Sequence, residues 1–509
     1  MGIIKTKSNN FLTVFVFIAL AVIYAATLHG ISGNIFPDDK RYEAVLMSNR
    51  PPFETSLERG RFAQTVSIGE RHTFNVDPYT EFLKPDLAWF GGHFYPAFPP
   101  GVALLSSPLL LVGERIGYNL LFAYATTTIA AILTGIVLYK ISRKLGLSQN
   151  ASLFGTLVLC LASGFWSYSV TISAHPFSTL VICLMFLAML YLKRGQGSIF
   201  LYSVIWFFFS INLFIDYPNV FIALPILIYS LYKGAAIHPE RQKIRLRLSF
   251  KFLYGMWTLV AVVGAFALYN TVHYHKPFAF TNQYNLQALD RLGVKYDIHN
   301  LNNSLFKKKA YSNRFQISRL PEGVSTLTIS TDRGLFFFFP IFFIGIVGLI
   351  FAYKDHKNVV IVTSLVLAFN LILYSIFDDP WGGWSYGPRY LLPSLPLLAL
   401  FVGFGYEWLM RRGVLMKAML LFLLFASVGV ALLGPLATNA VPPAIEASRG
   451  VPSNFVASFV YIPAHGTSSF IYNQFVSKLM PPFSYVLLIF AVVTILFTLV
   501  FATYKKNEN

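Results

Sequence analysis

The sequence predicts an all-α polytopic membrane protein, and three observations carry that prediction. Apolar runs recur along most of the chain, charged residues make up only 12% of it against 55% hydrophobic ones, and the lysines and arginines gather in alternate short connections. A run of about 17 to 25 apolar residues crosses a hydrocarbon core of about 30 Å. About twelve transmembrane helices can be read, at 11–29, 116–139, 151–168, 172–192, 198–214, 218–232, 252–272, 335–353, 358–377, 389–409, 414–434 and 482–503. The fifth and sixth are separated by Asp216-Tyr217-Pro218-Asn219, a turn signal that makes a tight pair of spans out of one long apolar stretch.

Lys5 and Lys7, then Lys140, Arg143 and Lys144, Lys193 and Arg194, the run 241–251, Lys354 and Lys357, Arg411 and Arg412, and Lys505 and Lys506 all fall on one side of a twelve-span arrangement. The positive-inside rule makes that side cytoplasmic, with both termini there, and the plasma membrane is the expected location. The net charge of +18 is then largely topological, and the cluster Arg241, Lys243, Arg245, Arg247 and Lys251 suits anionic lipid headgroups. Membrane lipids are therefore expected partners, and nucleic acid is not, because no folded basic domain exists outside the spans. The run from Phe11 to Leu28 is long for a secretory signal and Ile31-Ser32-Gly33 is a poor cleavage site, so it reads as a retained first helix. Cys160 and Cys183 both lie within predicted spans, which argues against a disulfide framework.

Three long segments, 30–115, 273–334 and 435–481, face outward in this arrangement, so the chemistry belongs on the outer face. The expected organisation is a transmembrane catalytic module over 1–434, carrying outer loops 30–115 and 273–334, followed at 435–509 by an outer loop and the last transmembrane helix. In the first loop Leu57, Phe62, Ala63, Val66 and Ile68 form an apolar stripe along 56–70, with Glu58 and Arg61 projecting at i and i+3. That pattern predicts a short amphipathic helix at the interface. Further on, KPDLAWFGGHFYPAFPPG at 84–101 is too rich in proline and glycine for a regular helix. It predicts a rigid, turn-rich re-entry into the membrane that holds Asp86 and His93 in place.

The most concentrated chemistry lies at 378–396, DDPWGGWSYGPRYLLPSLP, where two acids, two tryptophans, a tyrosine and an arginine precede a hydrophobic helix expected straight after Arg389. Charged and aromatic groups at the mouth of a membrane helix suggest an interfacial site. Trp381, Trp384 and Tyr386 suit either stacking on a sugar ring or an interfacial belt. His175 in TISAHPFST and Asp216 in FIDYPN are ionisable groups at the outer ends of apolar helices.

In order, the first helix, the large outer loop with an acid ahead of an Arg-aromatic pair, GHFYPAFPPG, and WGGWSYGPRYLLPSLP resemble the GT-C superfamily of membrane glycosyltransferases. The similarity covers residues 11 to about 410 and is strongest to the protein-mannosyltransferase and aminoarabinose-transferase branch, which uses polyprenyl-phosphate sugars. It implies an inverting transfer from a polyprenyl-phosphate sugar donor to a hydroxyl of a glycan, lipid or protein acceptor in the cell envelope, through a carboxylate of the first outer loop. Two places compete for that role. Pro37-Asp38-Asp39-Lys40-Arg41-Tyr42 copies the branch's acid-acid-x-Arg-Tyr pattern, whereas Glu58-Arg59-Gly60-Arg61-Phe62 better fits the helix and the spacing to GHFYPAFPPG. Glu58 is favoured, Asp38 and Asp39 stay open, and Asp86 joins them as a catalytic candidate.

One carboxylate suffices for such a transfer, because the acceptor hydroxyl needs a base while the lipid phosphate leaves as an anion. A glycoside hydrolase would need an acid as well. The second requirement is positive charge facing the phosphate. Arg389 is the first candidate, with Arg61, Arg333 and Lys84 beside it, since the arginine fork matches phosphate oxygens in pairs. His93, His175, Asp216, Trp384 and Tyr386 complete the expected donor-binding set, the resemblance placing His175 and Asp216 in the donor pocket. No His/Asp ligand set has convincing metal spacing, so the metal is unknown and a divalent cation stays open as the one cofactor to consider. The competing class is a polytopic transporter or flippase of lipid-linked sugars. That class favours mid-membrane charges and two similar halves, and the chain shows no internal repeat and no mid-span acid other than Glu407, near the cytoplasmic end.

Overall fold

A computed structural model describes residues 10–37, 53–83, 86–192, 198–234, 236–240, 243–247, 250–291, 301, 314–448 and 450–506. Asp38 and Asp39, together with Lys84 and Lys307 to Lys309, lie outside the described residues. Helix α1 (Asn10–Thr27) is followed by α2 (Ser56–Arg71), the antiparallel hairpin β1 (Leu87–Phe90) and β2 (His93–Pro96), and α3 (Gly101–Arg115). The bundle continues with α4 (Asn119–Lys144), α5 (Gln149–Leu161), the short α6 (Phe165–Ser169), α7 (His175–Tyr191), α8 (Ile199–Ser210) and α9 (Asn219–Gly234). A second hairpin, β3 (Ala236–Glu240) and β4 (Lys243–Arg247), leads to α10 (Trp257–Tyr274), α11 (Leu320–Thr328), α12 (Phe342–Ser375) and α13 (Leu395–Met410). Helices α14 (Val414–Leu436), α15 (Phe455–His465) and α16 (Pro482–Lys506) complete the described chain.

Among the described residues, by length and composition, six helical stretches are apolar enough to cross a membrane: 10–27, 119–144, 250–274, 342–375, 414–436 and 482–504. Six shorter apolar helices accompany them among the described residues. The expected spans at 335–353 and 358–377 fall largely on the single element α12, interrupted by the non-helical His356. Its two arms double back. Phe338, just before α12, meets Tyr386 edge-on, Phe351 stacks on Trp408 at the far end of α13, and Tyr374 returns to stack on Tyr390. The charged segment Lys354-Asp355-His356-Lys357 thus forms the bend.

Helix α13 is buried on nearly every side and is the axis of the bundle. It achieves this with small residues. A Cβ on Gly405 would sit 2.4 Å from the carbonyl oxygen of Ile344, one on Gly348 1.8 Å from that of Phe401, and one on Gly155 2.6 Å from that of Ala399. At these points the backbones approach closely enough for van der Waals contact, the kind of packing that holds helices together where lipid removes the hydrophobic driving force between them. The hydrophobic stretch after Arg389 begins later than its composition suggests: Arg389–Leu391 is a 3₁₀ turn and α13 starts at Leu395. Pro393 lacks an N–H and Pro396 sits in the first turn of α13, where proline is tolerated, so the helix register starts there.

The first long loop departs most from its sequence pattern. Helix α2 is enclosed rather than one-sided, with Glu58, Gly60, every residue from Phe62 to Ser67, and Gly69 all buried. Its polar residues therefore face protein, and it packs against α3 rather than lying on a surface. The GHFYPAFPPG segment makes a two-residue turn at Gly91 and Gly92, with φ of 61° and 91°, the positive values that glycine allows in a tight hairpin.

Candidate functional site

The start of α2 is fixed by local chemistry. Thr55 is the N-cap, and its hydroxyl accepts the N–H of Glu58 at 3.3 Å. The Glu58 carboxylate folds back toward the start of the helix and accepts the backbone N–H of Glu54 at 3.0 Å, with the Thr55 amide beside it. This is a capping-box arrangement, Thr-x-x-Glu, which orients the Glu58 side chain before any tertiary contact forms. Burial raises the Glu58 carboxyl above the usual carboxylate range, opposed by those backbone amides and by Arg61.

Glu58 lines a cavity of about 490 Å³. Arg61, one turn further along α2, lines it too, its guanidinium 4.6 Å over the Phe98 ring. Burial lowers Arg61 to about 10, with Asp216 opposing the shift most strongly, so the group is charged at neutral pH. Gly60 permits this approach, because a Cβ there would lie 2.6 Å from the Phe98 ring. Asp86 enters from the segment before β1 and accepts a hydrogen bond from Ser56 Oγ at 2.5 Å. From the bundle come His175, the first residue of α7, whose ring meets Tyr168 edge-on at 5.0 Å, and Asp216, between α8 and α9. Burial pushes Asp216 up to about 6 against the charges of Arg61 and Arg389.

The 378–390 segment closes the opposite wall. Asp379 Oδ1 accepts the N–H groups of Gly382 and Gly383 at 3.0 and 3.1 Å, and both glycines have positive φ, 74° and 60°. A Cβ on Gly382 would lie 2.8 Å from Arg389 Nε. The turn therefore needs glycine twice over, for its backbone and for room beside the arginine. Arg389 lies over the Tyr390 ring at 5.2 Å, and Tyr390 stacks on Tyr374 at 4.0 Å. Three polar atoms of the wall, Arg61 Nε, Arg389 Nε and His175 Nδ1, are buried with no hydrogen-bond partner. Buried donors are ordinarily satisfied, so such atoms point to a ligand or water.

The structure thus brings Glu58, Asp86, Arg61, His175, Asp216, Trp384 and Arg389 to one cavity. It places the other candidates elsewhere. Arg333 is wholly buried behind the wall and donates to six acceptors: Asp332 Oδ1 and the carbonyl oxygens of Asp332, Trp381, Gly383, Val441 and Ser453, at 2.7 to 3.2 Å. Those bonds tie the turn to the third long loop and leave the guanidinium turned away from the cavity. Tyr386 is also wholly buried; its N–H donates to Tyr168 Oη at 2.9 Å and its hydroxyl donates to the carbonyl of Val430. Trp384 is 45% exposed at the rim, and its indole N–H donates to Glu446. His93 lies outside the cavity, on the hairpin, paired at 2.8 Å with Asp77 and more than half exposed. Asp38 and Asp39 belong to the residues not described. Four acids line the cavity, yet no three acidic, histidine or cysteine groups among the described residues approach closely enough to hold a metal ion.

Several lining residues were not singled out by sequence: Arg314, Asn439 from the third long loop, and the amides Asn282, Gln283, Asn285 and Gln287 from the second. Behind Glu58 stands Glu54, also missed. The signal for it was present, because Thr55-x-x-Glu58 marks a helix start and puts residue 54 beside the Glu58 side chain.

No family model and no curated protein matches the sequence. Among solved structures the chain is similar to ArnT from Cupriavidus metallidurans bound to undecaprenyl phosphate, with 13% identity, a TM-score of 0.48, and 97% of this chain and 77% of that one covered. It is also similar to the archaeal oligosaccharyltransferase AglB from Archaeoglobus fulgidus in complex with an inhibitory peptide and a dolichol-phosphate, with 12% identity, a TM-score of 0.41, and 84% and 55% covered.

Proposed function

We propose that this chain is a membrane glycosyltransferase that moves a sugar from a polyprenyl-phosphate donor to an acceptor hydroxyl on the outer face, with inversion. The observation that carries the reading is the convergence of Glu58, Arg61 and Arg389 on one cavity from segments more than 300 residues apart. Glu58 supplies the base. As the acceptor oxygen bonds to the anomeric carbon its proton passes to the Glu58 carboxylate, and the bond from that carbon to the phosphate oxygen breaks. The raised carboxyl suits the task, since a base works best with a pKa near the working pH.

Arg389 and Arg61 face the departing phosphate. Their buried Nε atoms are donors awaiting an acceptor, and a guanidinium binds phosphate oxygens in pairs. Held in place before reaction, they stabilise charge as it develops on the leaving group. Phe221 and Phe315, exposed and lining the same cavity, offer an apolar flank for the first isoprene units. The amide-bearing segment 282–287 faces the sugar hydroxyls.

The test is purified full-length protein with a polyprenyl-phosphate sugar, following transfer to an acceptor and donor hydrolysis. Glu58→Gln should lower turnover by about 10²- to 10⁴-fold, the contribution of a positioned base, with donor binding retained. Unchanged turnover in that variant sinks the assignment. Movement of the intact donor across sealed vesicles without bond cleavage would favour a flippase instead.

A further inference from the structure

Four residues before Glu58 stands a second acid that the mechanism does not use. Glu54 lies just ahead of α2, and its carboxylate reaches the third long loop. Its Oε2 accepts the backbone N–H of Asn439, and its Oε1 is hydrogen-bonded to Ser468 Oγ at 3.2 Å. The Glu54 backbone N–H donates to Glu58 Oε2. Around the pair, the charged neighbours Arg59 and Arg61 come from α2 and act on Glu58, whereas the third loop presents only the neutral groups Thr438, Asn439 and Ser468 to Glu54.

Proton counting separates the two acids. A serine hydroxyl has one proton to donate. Ser468 Oγ is also bonded to the carbonyl oxygen of Ala437, which has none to give. The serine proton is committed there, so the contact with Glu54 Oε1 is a hydrogen bond when Glu54 supplies the proton. Glu58 is in the opposite condition, because its carboxylate accepts backbone N–H groups at the start of a helix, where negative charge is favoured. Two neighbouring buried carboxyls resist ionising together.

We propose that Glu54 is a positioning residue that holds the pair's one proton on Oε1, facing Ser468, and so keeps the negative charge on Glu58 at the cavity. The inference rests on the reading of Glu58 as the base. In turnover the acceptor's proton goes to Glu58 while Glu54 keeps its own, so no co-reactant is needed. The direction of the pKa shifts agrees: burial raises both acids, and the charge of Glu58 raises Glu54 further.

The experiment compares full-length wild type with Glu54→Gln, Ser468→Ala and Glu58→Gln, by infrared difference spectra at neutral pH and by pH profiles of kcat/KM. A protonated-carboxyl band should be lost in Glu54→Gln and kept in Glu58→Gln. The glutamine amide reproduces a neutral acid that donates to Ser468, so Glu54→Gln should keep the acid limb of the profile. Ser468→Ala removes the acceptor for the Glu54 proton, returns that proton to Glu58, and should move the acid limb up by about one pH unit, a tenfold loss on its acid side. A spectrum unchanged by Glu54→Gln, or an acid limb in Ser468→Ala that superposes on wild type, overturns the proposal. Full transfer by Glu58→Gln would instead overturn the base assignment, and the infrared result would still decide where the proton sits.

Discussion

Arg333 and Arg389 flank the same glycine-rich turn, and only one of them is finished. Arg333 donates to six acceptors and has no exposure to solvent. Arg389, half-buried across the turn, keeps its Nε without a partner and faces the cavity. A cation whose donors are all consumed holds structure together, and one left with a donor in a cavity awaits a ligand. Residue type is the same in the two; burial and, above all, the remaining hydrogen-bonding capacity separate a girder from a binding group.

That contrast can be broken by substitution, and the largest effect should come from the girder. Arg333→Met strips partners from five carbonyls and the Asp332 carboxylate, so thermal unfolding should show a loss of about 3–5 kcal/mol, the cost of breaking a buried charged network. Arg389→Ala should leave the melting temperature nearly unchanged and lower kcat by about 10²- to 10³-fold, the loss typical of one donor to developing negative charge. Equal loss of stability in both variants would erase the distinction.

Asp216 sharpens it from the acid side. Its carboxyl, about 4 in the unfolded chain, is pushed to about 6 by burial. The folded state then binds more protons than the unfolded one across that window, so stability from this group is present below pH 4 and is lost as the pH rises through about 6. Asp216→Asn should flatten the fall in melting temperature between pH 4 and 7, worth at most about 3 kcal/mol. Gly382→Ala tests the turn: a side chain at φ 74° and 2.8 Å from Arg389 Nε should cost about 1–2 kcal/mol and displace the arginine, with activity falling further than stability. His93→Ala should do least, changing stability by less than about 1 kcal/mol, because an exposed polar pair contributes little, and leaving turnover intact.

The sequence made some of this legible and hid the rest for physical reasons. Helices α1, α4, α7, α14 and α16 follow from apolar run length alone, and the two spans folded into α12 were separable because Lys354 to Lys357 interrupt them. Glu58 and Arg61 were visible as a pair one helical turn apart. The enclosure of α2 was not, because its polar residues read as a solvent face until α3 is seen to cover them. Arg389 was ranked ahead of Arg333, but the structural role of Arg333 was not visible, since the acceptors that consume it lie up to 120 residues away in sequence. Glu54 could be read from the Thr55-x-x-Glu58 helix start, but its partners could not, being supplied by a loop with no distinguishing pattern.

That last connection also sets an order of assembly. Glu54 is bonded to residues 385 and 414 positions later in the chain, and synthesis proceeds from the N-terminus. Throughout most of translation the two acids have no third loop to cover them. The Glu54–Glu58 pair acquires its final setting only when residues 439 to 468 arrive, so a nascent chain stopped short of Ser468 would carry every helix of the cavity wall and still lack the contacts that cover Glu54.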